Sequence, residues 1–289
     1  MTARLCVRIL HKGGDVKVRV LASCVFLTVA LSATDSPLWR WIPATHAQTA
    51  PNHDATRADF DRLMTELSNW GRWGKDDQIG AVNLITPAKR KEALSSVKDG
   101  FSVSMARKAE MEPALDNPRP ITHVMGGAGR GANPANPQTD ISGASDTFTI
   151  SYPEDLDAWV KRAHLKIEPG DAVFIRTGRW ALRDAKGAYD TNQLAGLYIT
   201  CAKWLRDHDA AILGSDGAED VHPSGIDGIT EPIHALVLVA MGMPVFDNLD
   251  LEAVSREAAK RNRWDFLVTA SPAAVPGATG SVLNPIATF

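Results

Sequence analysis

Ala210-Ala-Ile-Leu-Gly-Ser-Asp216 is a short apolar run that ends on a hydroxyl and a carboxylate. It lacks polar alternation, which is the pattern of a strand buried on both faces, with its polar tip at the carboxyl end. Reading outward, Ile199 to His208 has helical character, and Asp171-Ala-Val-Phe-Ile-Arg-Thr177 reads as another strand. Before that, Pro153 to Ala163 places Leu156, Trp159 and Val160 on one helix side. Downstream, Pro232 to Met241 is an apolar helix, and Met243 to Phe246 is a short strand followed by Asp247-Asn248. Leu251 to Arg261 is an amphipathic helix and Phe266 to Ala270 a further strand. Strands alternating with helices indicate an α/β layer. In open sheets of this kind, ligands gather at the carboxyl ends of the strands. Asp216 and Asp247 both fall there.

The N-terminal half is less regular. Gln48 to Thr56 is a polar lead-in, and Ala58 to Leu67 carries Phe60, Leu63, Met64 and Leu67 at helical spacing. Asn69-Trp-Gly-Arg-Trp-Gly-Lys-Asp-Asp77 is a glycine-broken loop with two indoles. Thr86-Pro87 opens a helix running to about Val97, since threonine caps well and proline suits the first helical position. Gly126 to Gly143 has no periodicity and reads as a surface loop. It is a poor phosphate cradle, because no Gly-Lys-Ser/Thr follows it and no strand-to-helix frame encloses it.

The first residues have a different character. Arg4, Arg8, Lys12, Lys17 and Arg19 precede Val20 to Ala33, an uncharged apolar run of 14 residues. A spanning helix needs about 20. A cationic start, a short apolar stretch and a small-residue site at Thr45-His46-Ala47 are the marks of a secretory signal peptide. The expected division is therefore a leader over 1–47, a lead-in with the first helix over 48–67, and one domain over 68–289. An exported, periplasmic location follows from that expectation. Of the chain's 31 basic and 34 acidic side chains, six and two lie in the leader, so 25 and 32 remain, a net −7. Such an acidic surface argues against nucleic acid or an anionic membrane as a partner. Cys6 and Cys24 lie in the leader too, and Cys201 alone cannot form a disulfide or a thiolate zinc site within the chain.

Three polar groups could carry chemistry. Asp216 follows a buried strand, His234 stands near the start of an apolar helix, and Asp247 follows the next strand. A histidine and carboxylates on neighbouring elements can bind a metal or share a proton. Each also has a structural alternative: Asp216 as the cap of a turn, His234 as a buried hydrogen-bonded ring, Asp247 as the cap of the helix near Leu251. Trp70 and Trp73 either line a pocket for an aromatic substrate or plug a core edge. His123 reads as a loop residue, and His164, His208 and His222 as solvated side chains. Ser215 lacks the Gly-x-Ser-x-Gly frame of a nucleophile elbow, and Cys201 reads as a packing residue.

Longer stretches carry a resemblance. Asn69-Trp-Gly-Arg-Trp-Gly-Lys-Asp-Asp-Gln-Ile-Gly-Ala-Val-Asn-Leu-Ile-Thr-Pro87 is similar to the N-terminal signature of the cyclase family, which includes kynurenine formamidase-like and isatin hydrolase-like enzymes. Pro169-Gly-Asp-Ala-Val-Phe-Ile-Arg-Thr-Gly178, Leu213-Gly-Ser-Asp216 and Pro232-Ile-His-Ala-Leu-Val-Leu-Val-Ala-Met-Gly242 match in order. So do Phe246-Asp-Asn-Leu-Asp-Leu251 and Pro276-Gly-Ala-Thr-Gly-Ser-Val-Leu-Asn-Pro-Ile-Ala287. The resemblance covers nearly all of residues 68–289.

It implies a swivelling β/β/α fold, a homo-oligomer, and metal-dependent hydrolysis of amide bonds in aryl formamides or cyclic amides, with zinc or manganese. The implied substrate is a small aromatic amide. His234 and Asp247 stand where the family places a second-site histidine and acidic residue. Asp216 and His234 are the implied catalytic groups, and Trp70 and Trp73 the implied substrate contacts. One feature departs from the family. Its main ligand motif, His-x-Gly-Thr-His-x-Asp, should follow Phe148-Thr-Ile-Ser-Tyr152, but no such motif occurs in the chain. An internal deletion of that segment is the expectation, leaving an incomplete fold and a weak two-ligand site. The rival expectation is an exported protein that binds a ligand or a subunit without turnover.

Overall fold

In the computed structural model, residues 2–6, 53–120 and 150–289 are described. The opening motif forms the middle of the fold. Strand β4 (Ala172–Ile175) and strand β6 (Ile212–Ser215) are buried at every position and pair in parallel, Ala172 with Ile212 through Ile175 with Ser215. Alternate side chains of β4 enter two different cores. Val173 and Ile175 join one with Leu213, Leu197, Leu205, Ile233 and Leu236. Ala172 and Phe174 join the other with Phe266, Val268, Leu251 and Phe289. This is why these strands read as continuous apolar runs: the sheet is covered on both faces. Gly214 is required in β6, because a Cβ there would sit 2.6 Å from the Phe174 ring.

The large sheet has seven strands in the order β2-β9-β8-β1-β4-β6-β7. Its remaining strands are β1 (Thr2–Cys6), β2 (Ser102–Ser104), β7 (Val245–Phe246), β8 (Asp265–Thr269) and β9 (Ile286–Thr288). Strands β1, β4, β6 and β7 run parallel, and β8, β9 and β2 complete an antiparallel flank. A second sheet is a parallel pair, β3 (Ile150–Ser151) with β5 (Gly196–Leu197). Two sheets with helices around them match the expected mixed architecture.

Most helices lie where the sequence periodicity put them. Helix α1 (Arg57–Glu66) starts in a capping box between Thr56 and Asp59 and buries Phe60 and Leu63. Helix α2 (Pro87–Ser95) is capped by Thr86, whose hydroxyl accepts from the Lys89 amide, with Pro87 in its first turn. Helices α3 (Pro153–Arg162), α5 (Cys201–Asp207) and α7 (Glu252–Arg261) fit the apolar stripes that foretold them. Helix α4 (Arg179–Lys186) is new, and it matters for the site. The apolar stretch from Pro232 is more than a plain helix. A single α-turn, α6 (Pro232–His234), passes into a wider π-helical turn over Ala235–Ala240. Such widened turns occur often beside functional sites, and this one begins directly after His234.

Thr2–Cys6, within the stretch read as a leader, is strand β1, hydrogen-bonded between β4 and β8. The apolar run, the cut site at Ala47, the Gly126 to Gly143 loop and His123 lie outside the described residues. Among the described residues, no helix is long and apolar enough to cross a membrane.

Candidate metal centre

After β6 the chain runs through Gly217 and Ala218 to two consecutive carboxylates, Glu219 and Asp220, at the carboxyl end of the sheet. Asp220 is fully buried and anchors the start of α6. It accepts from the backbone amides of Ile233 (2.6 Å) and His234 (3.1 Å). The same carboxylate lies 2.7 Å from His234 Nδ1. That contact fixes the ring and turns Nε2 toward Asp247 (3.2 Å) and Glu219 (3.5 Å). A carboxylate behind the imidazole orients it and raises its basicity, as at many metal sites.

Glu219 is the anomaly. It is 1% exposed, yet no backbone amide or hydroxyl donates to its carboxylate, whose neighbours are the Asp247 carboxyl group and, at 3.5 Å, His234 Nε2. Its backbone also sits at φ +32°, a region that non-glycine residues seldom adopt. A buried carboxylate with so few donors around it is costly. Burial, followed by the hydrogen-bonding contact with Asp247 and then the charges of Asp247, Asp220 and Asp216, pushes its pKa well above the usual carboxylate range. Burial works against charging His234 as well, but the bonds to Asp220 and Asp247 together outweigh it and lift the ring to about 10. Asp247 is also penalised by burial, yet contact with His234 and Glu219 holds it below its ordinary value.

One ligand atom each from Glu219, His234 and Asp247 lies within 4.8 Å of the others. An imidazole with two carboxylates suits zinc or manganese. Three protein ligands with one open side is the arrangement of a catalytic site, and Asp247, 39% exposed, marks the open side. The residues present therefore fit a divalent cation, which would also satisfy the Glu219 carboxylate. The fold brings His234 and Asp247, both singled out in the sequence, to 3.2 Å of one another. Glu219 was missed, although adjacent acidic residues just beyond a buried strand's polar tip were a usable signal. The family's main motif has no counterpart here: β3 ends at Ser151, and Tyr152 is already the cap of α3.

Asp216 takes the structural role. It is fully buried and accepts from Thr177 N (2.7 Å), Thr177 Oγ1 (2.8 Å), Gly178 N (2.8 Å) and Arg179 N (3.2 Å). Those bonds tie the end of β6 to the start of α4, which leaves no free oxygen for acid–base work. Asp247 does not cap α7; the Glu252 amide donates to Asp250 instead. Trp70 is 78% exposed, and its indole donates to Val239 O. Trp73 lies against the Arg72 guanidinium. Neither lines the cleft whose wall includes Ala218 and Asn248, the chain neighbours of Glu219 and Asp247. The aromatic side chain that does is Trp180 on α4. His222, read as solvated, is half-buried and also lines that cleft. Cys201 is a buried packing thiol whose pKa burial pushes up.

Residues 138–219 match the model of the Cyclase family, described as "Putative cyclase". The crystal structure of a novel cyclase superposes with a TM-score of 0.59 at 21% identity, over 77% of this chain and all of that one. The fold is cyclase-like. Isatin hydrolase A from Ralstonia solanacearum is 21% identical over 48% of this chain and 52% of its own, with a TM-score of 0.38. A potential metal-dependent hydrolase with cyclase activity is 17% identical over 49% and 59%, with a TM-score of 0.35. The chain thus spans about half the length of these two. No curated protein matches it.

Proposed function

We propose that this protein is a metal-dependent hydrolase acting on amide bonds of aryl formamides or cyclic amides. The observation that carries the reading is Glu219, a buried carboxylate that no backbone amide or hydroxyl satisfies, set against His234 and Asp247 at ligating distance. Glu219, His234 Nε2 and Asp247 would hold the cation. When bound, such an ion polarises a carbonyl and lowers the pKa of water at neutral pH. The chain's own residues do the rest. Asp220 holds the His234 ring from behind, so that Nε2 stays on the open side. Asp216 fixes the junction of β6 with α4, which carries the wall of the cleft.

The test is metal content after purification, with hydrolysis of N-formylkynurenine and isatin assayed on the same sample. Turnover lost on chelation and in His234→Ala is the expected result. A folded protein with no metal affinity and no turnover would overturn the reading in favour of a non-catalytic binding protein.

Export is the second part of the proposal. It rests on the cationic, apolar pattern of residues 1–47. Cleavage at Ala47 would withdraw β1 and leave the inner edges of β4 and β8 unpaired. The intact mass of protein recovered from the periplasmic fraction decides it: a mass lacking the leader is expected, and a full-length cytoplasmic product overturns it.

A further inference from the structure

In the large sheet, β1 alone joins the antiparallel flank β2-β9-β8 to the parallel half β4-β6-β7. Ala3 to Cys6 pair in parallel with Ala172 to Ile175, and Thr2 to Arg4 pair antiparallel with Leu267 to Asp265. Both edges of the strand are therefore used. Neighbouring strands lie about 4.8 Å apart, so β4 and β8 stand two such steps from each other and do not pair directly. Without β1 the sheet divides along a slot bordered by Ala172–Ile175 on one side and Asp265–Leu267 on the other. Those strands carry Val173 and Ile175 of one core and Phe174 and Phe266 of the other. The slot is thus strongly specified. Its occupant is not. Strand β4 is apolar at every position, as a strand covered on both faces requires, whereas Thr2-Ala-Arg-Leu-Cys6 has a cation at its middle. Sequence pattern and position disagree in β1, which marks it as a weakly specified strand.

The same residues have a second use. Arg4 belongs to the cationic start that precedes the apolar run Val20 to Ala33. In a secretory leader that start stays on the cytoplasmic side, while the chain beyond the apolar run crosses. Strands β4 and β8 both lie beyond it. Residues 2–6 cannot stay on one side of a membrane and fill a sheet on the other. Pairing in the sheet and service as a leader are mutually exclusive.

We propose that the slot between β4 and β8 is a strand-acceptor site, and that filling it with residues 2–6 holds the chain back from export. A chain that folds first locks the start of its own leader into the sheet and stays in the cytoplasm. A chain that crosses first leaves that start behind and folds without it. The hold on export rests on the leader reading proposed above; the acceptor site does not.

The test uses the full chain. Hydrogen exchange read by mass spectrometry should find the amides of residues 3–6 as slow as those of Ala172–Ile175, and exchange at open-chain rates overturns the proposal. Every N–H of a central strand bonds to one neighbour or the other, and proline removes one of them. Arg4→Pro should therefore lower the melting temperature by about 5 °C. Lys12→Pro, which removes a cation outside β1, should leave it unchanged. In cells, Arg4→Pro should raise the share of leader-free protein in the periplasmic fraction, and Lys12→Pro should not, although each removes one positive charge. Equal melting temperatures, or equal exported shares, overturn the proposal. Should Arg4→Pro fail to fold, the exchange of residues 3–6 in the unaltered chain decides. The two readings fail separately. Slow exchange at residues 3–6 with no leader-free product from any variant keeps the acceptor site and removes the leader. Leader-free product with open-chain exchange at those residues does the reverse.

Discussion

Asp216 and Glu219 stand three residues apart on one loop, both buried and both acidic, yet their surroundings are opposite. Asp216 receives four hydrogen bonds from the turn into α4. Glu219 receives none from a backbone amide or hydroxyl and faces a histidine and another carboxylate. Burial alone therefore says little about what a carboxylate does; its partners decide. A fully satisfied carboxylate holds the fold, whereas an unsatisfied one is tolerated where a ligand completes it.

The contrast predicts opposite mutants. Asp216→Ala strands three backbone amides and should cost about 3 kcal/mol or more of stability, because each buried unsatisfied donor costs about 1–3 kcal/mol. Denaturant unfolding of the metal-free protein measures this. Glu219→Gln should leave that stability within about 1 kcal/mol, since the raised pKa already keeps Glu219 protonated in the metal-free protein and the amide mimics that neutral form. The same variant should lose about 100-fold in zinc affinity, a large part of the contribution of one ligand in three. If Glu219→Gln unfolds the protein as readily as Asp216→Ala, the distinction between the two carboxylates collapses. A smaller effect is expected one residue along. Asp220→Asn keeps acceptors for the Ile233 and His234 amides but weakens its hold on Nδ1. It should cost about 10-fold in zinc affinity, the lower end for a group behind a ligating histidine.

Much of the architecture was legible because its periodicity is strong. Strands β4 and β6 are uninterrupted apolar runs, and Thr86-Pro87 announces α2 through chemistry local to the chain. Helix α4 was not legible. Arg179–Lys186 is short and largely polar, and it starts at Gly178 with φ +89°, a cap without a side chain to read. The short strands β2, β3, β5 and β9 exist because partners distant in sequence pair with them, which no local pattern reveals. At the site, His234 and Asp247 could be picked out as polar groups next to apolar elements. The role of Asp216 could not, since its four donors sit on residues 177–179, nearly forty positions earlier. Trp70 and Trp73 drew attention by their density in one loop, whereas Trp180 gained its place only when β4 and α4 turned it into the cleft.

A change of pH should separate the metal-free protein from the loaded one. Without a cation, His234 is lifted to about 10 and Glu219 well above its ordinary value. The folded protein thus binds more protons than the unfolded chain at neutral pH. Where the native state binds more protons, stability falls as pH rises. For His234 the contribution is complete below about 6.5, the unfolded value, and is lost as pH rises through about 10. The metal-free protein should therefore melt at a lower temperature at pH 9 than at pH 6. Zinc binding should show the opposite trend, because a ligand must release its proton before it can bind. Affinity should increase by up to about tenfold per pH unit for each proton displaced, and calorimetry in buffers of different ionisation enthalpy should register the release. The zinc-induced rise in melting temperature should accordingly widen from pH 6 to pH 9. A shift independent of pH would mean that His234 and Glu219 are not the groups the cation meets.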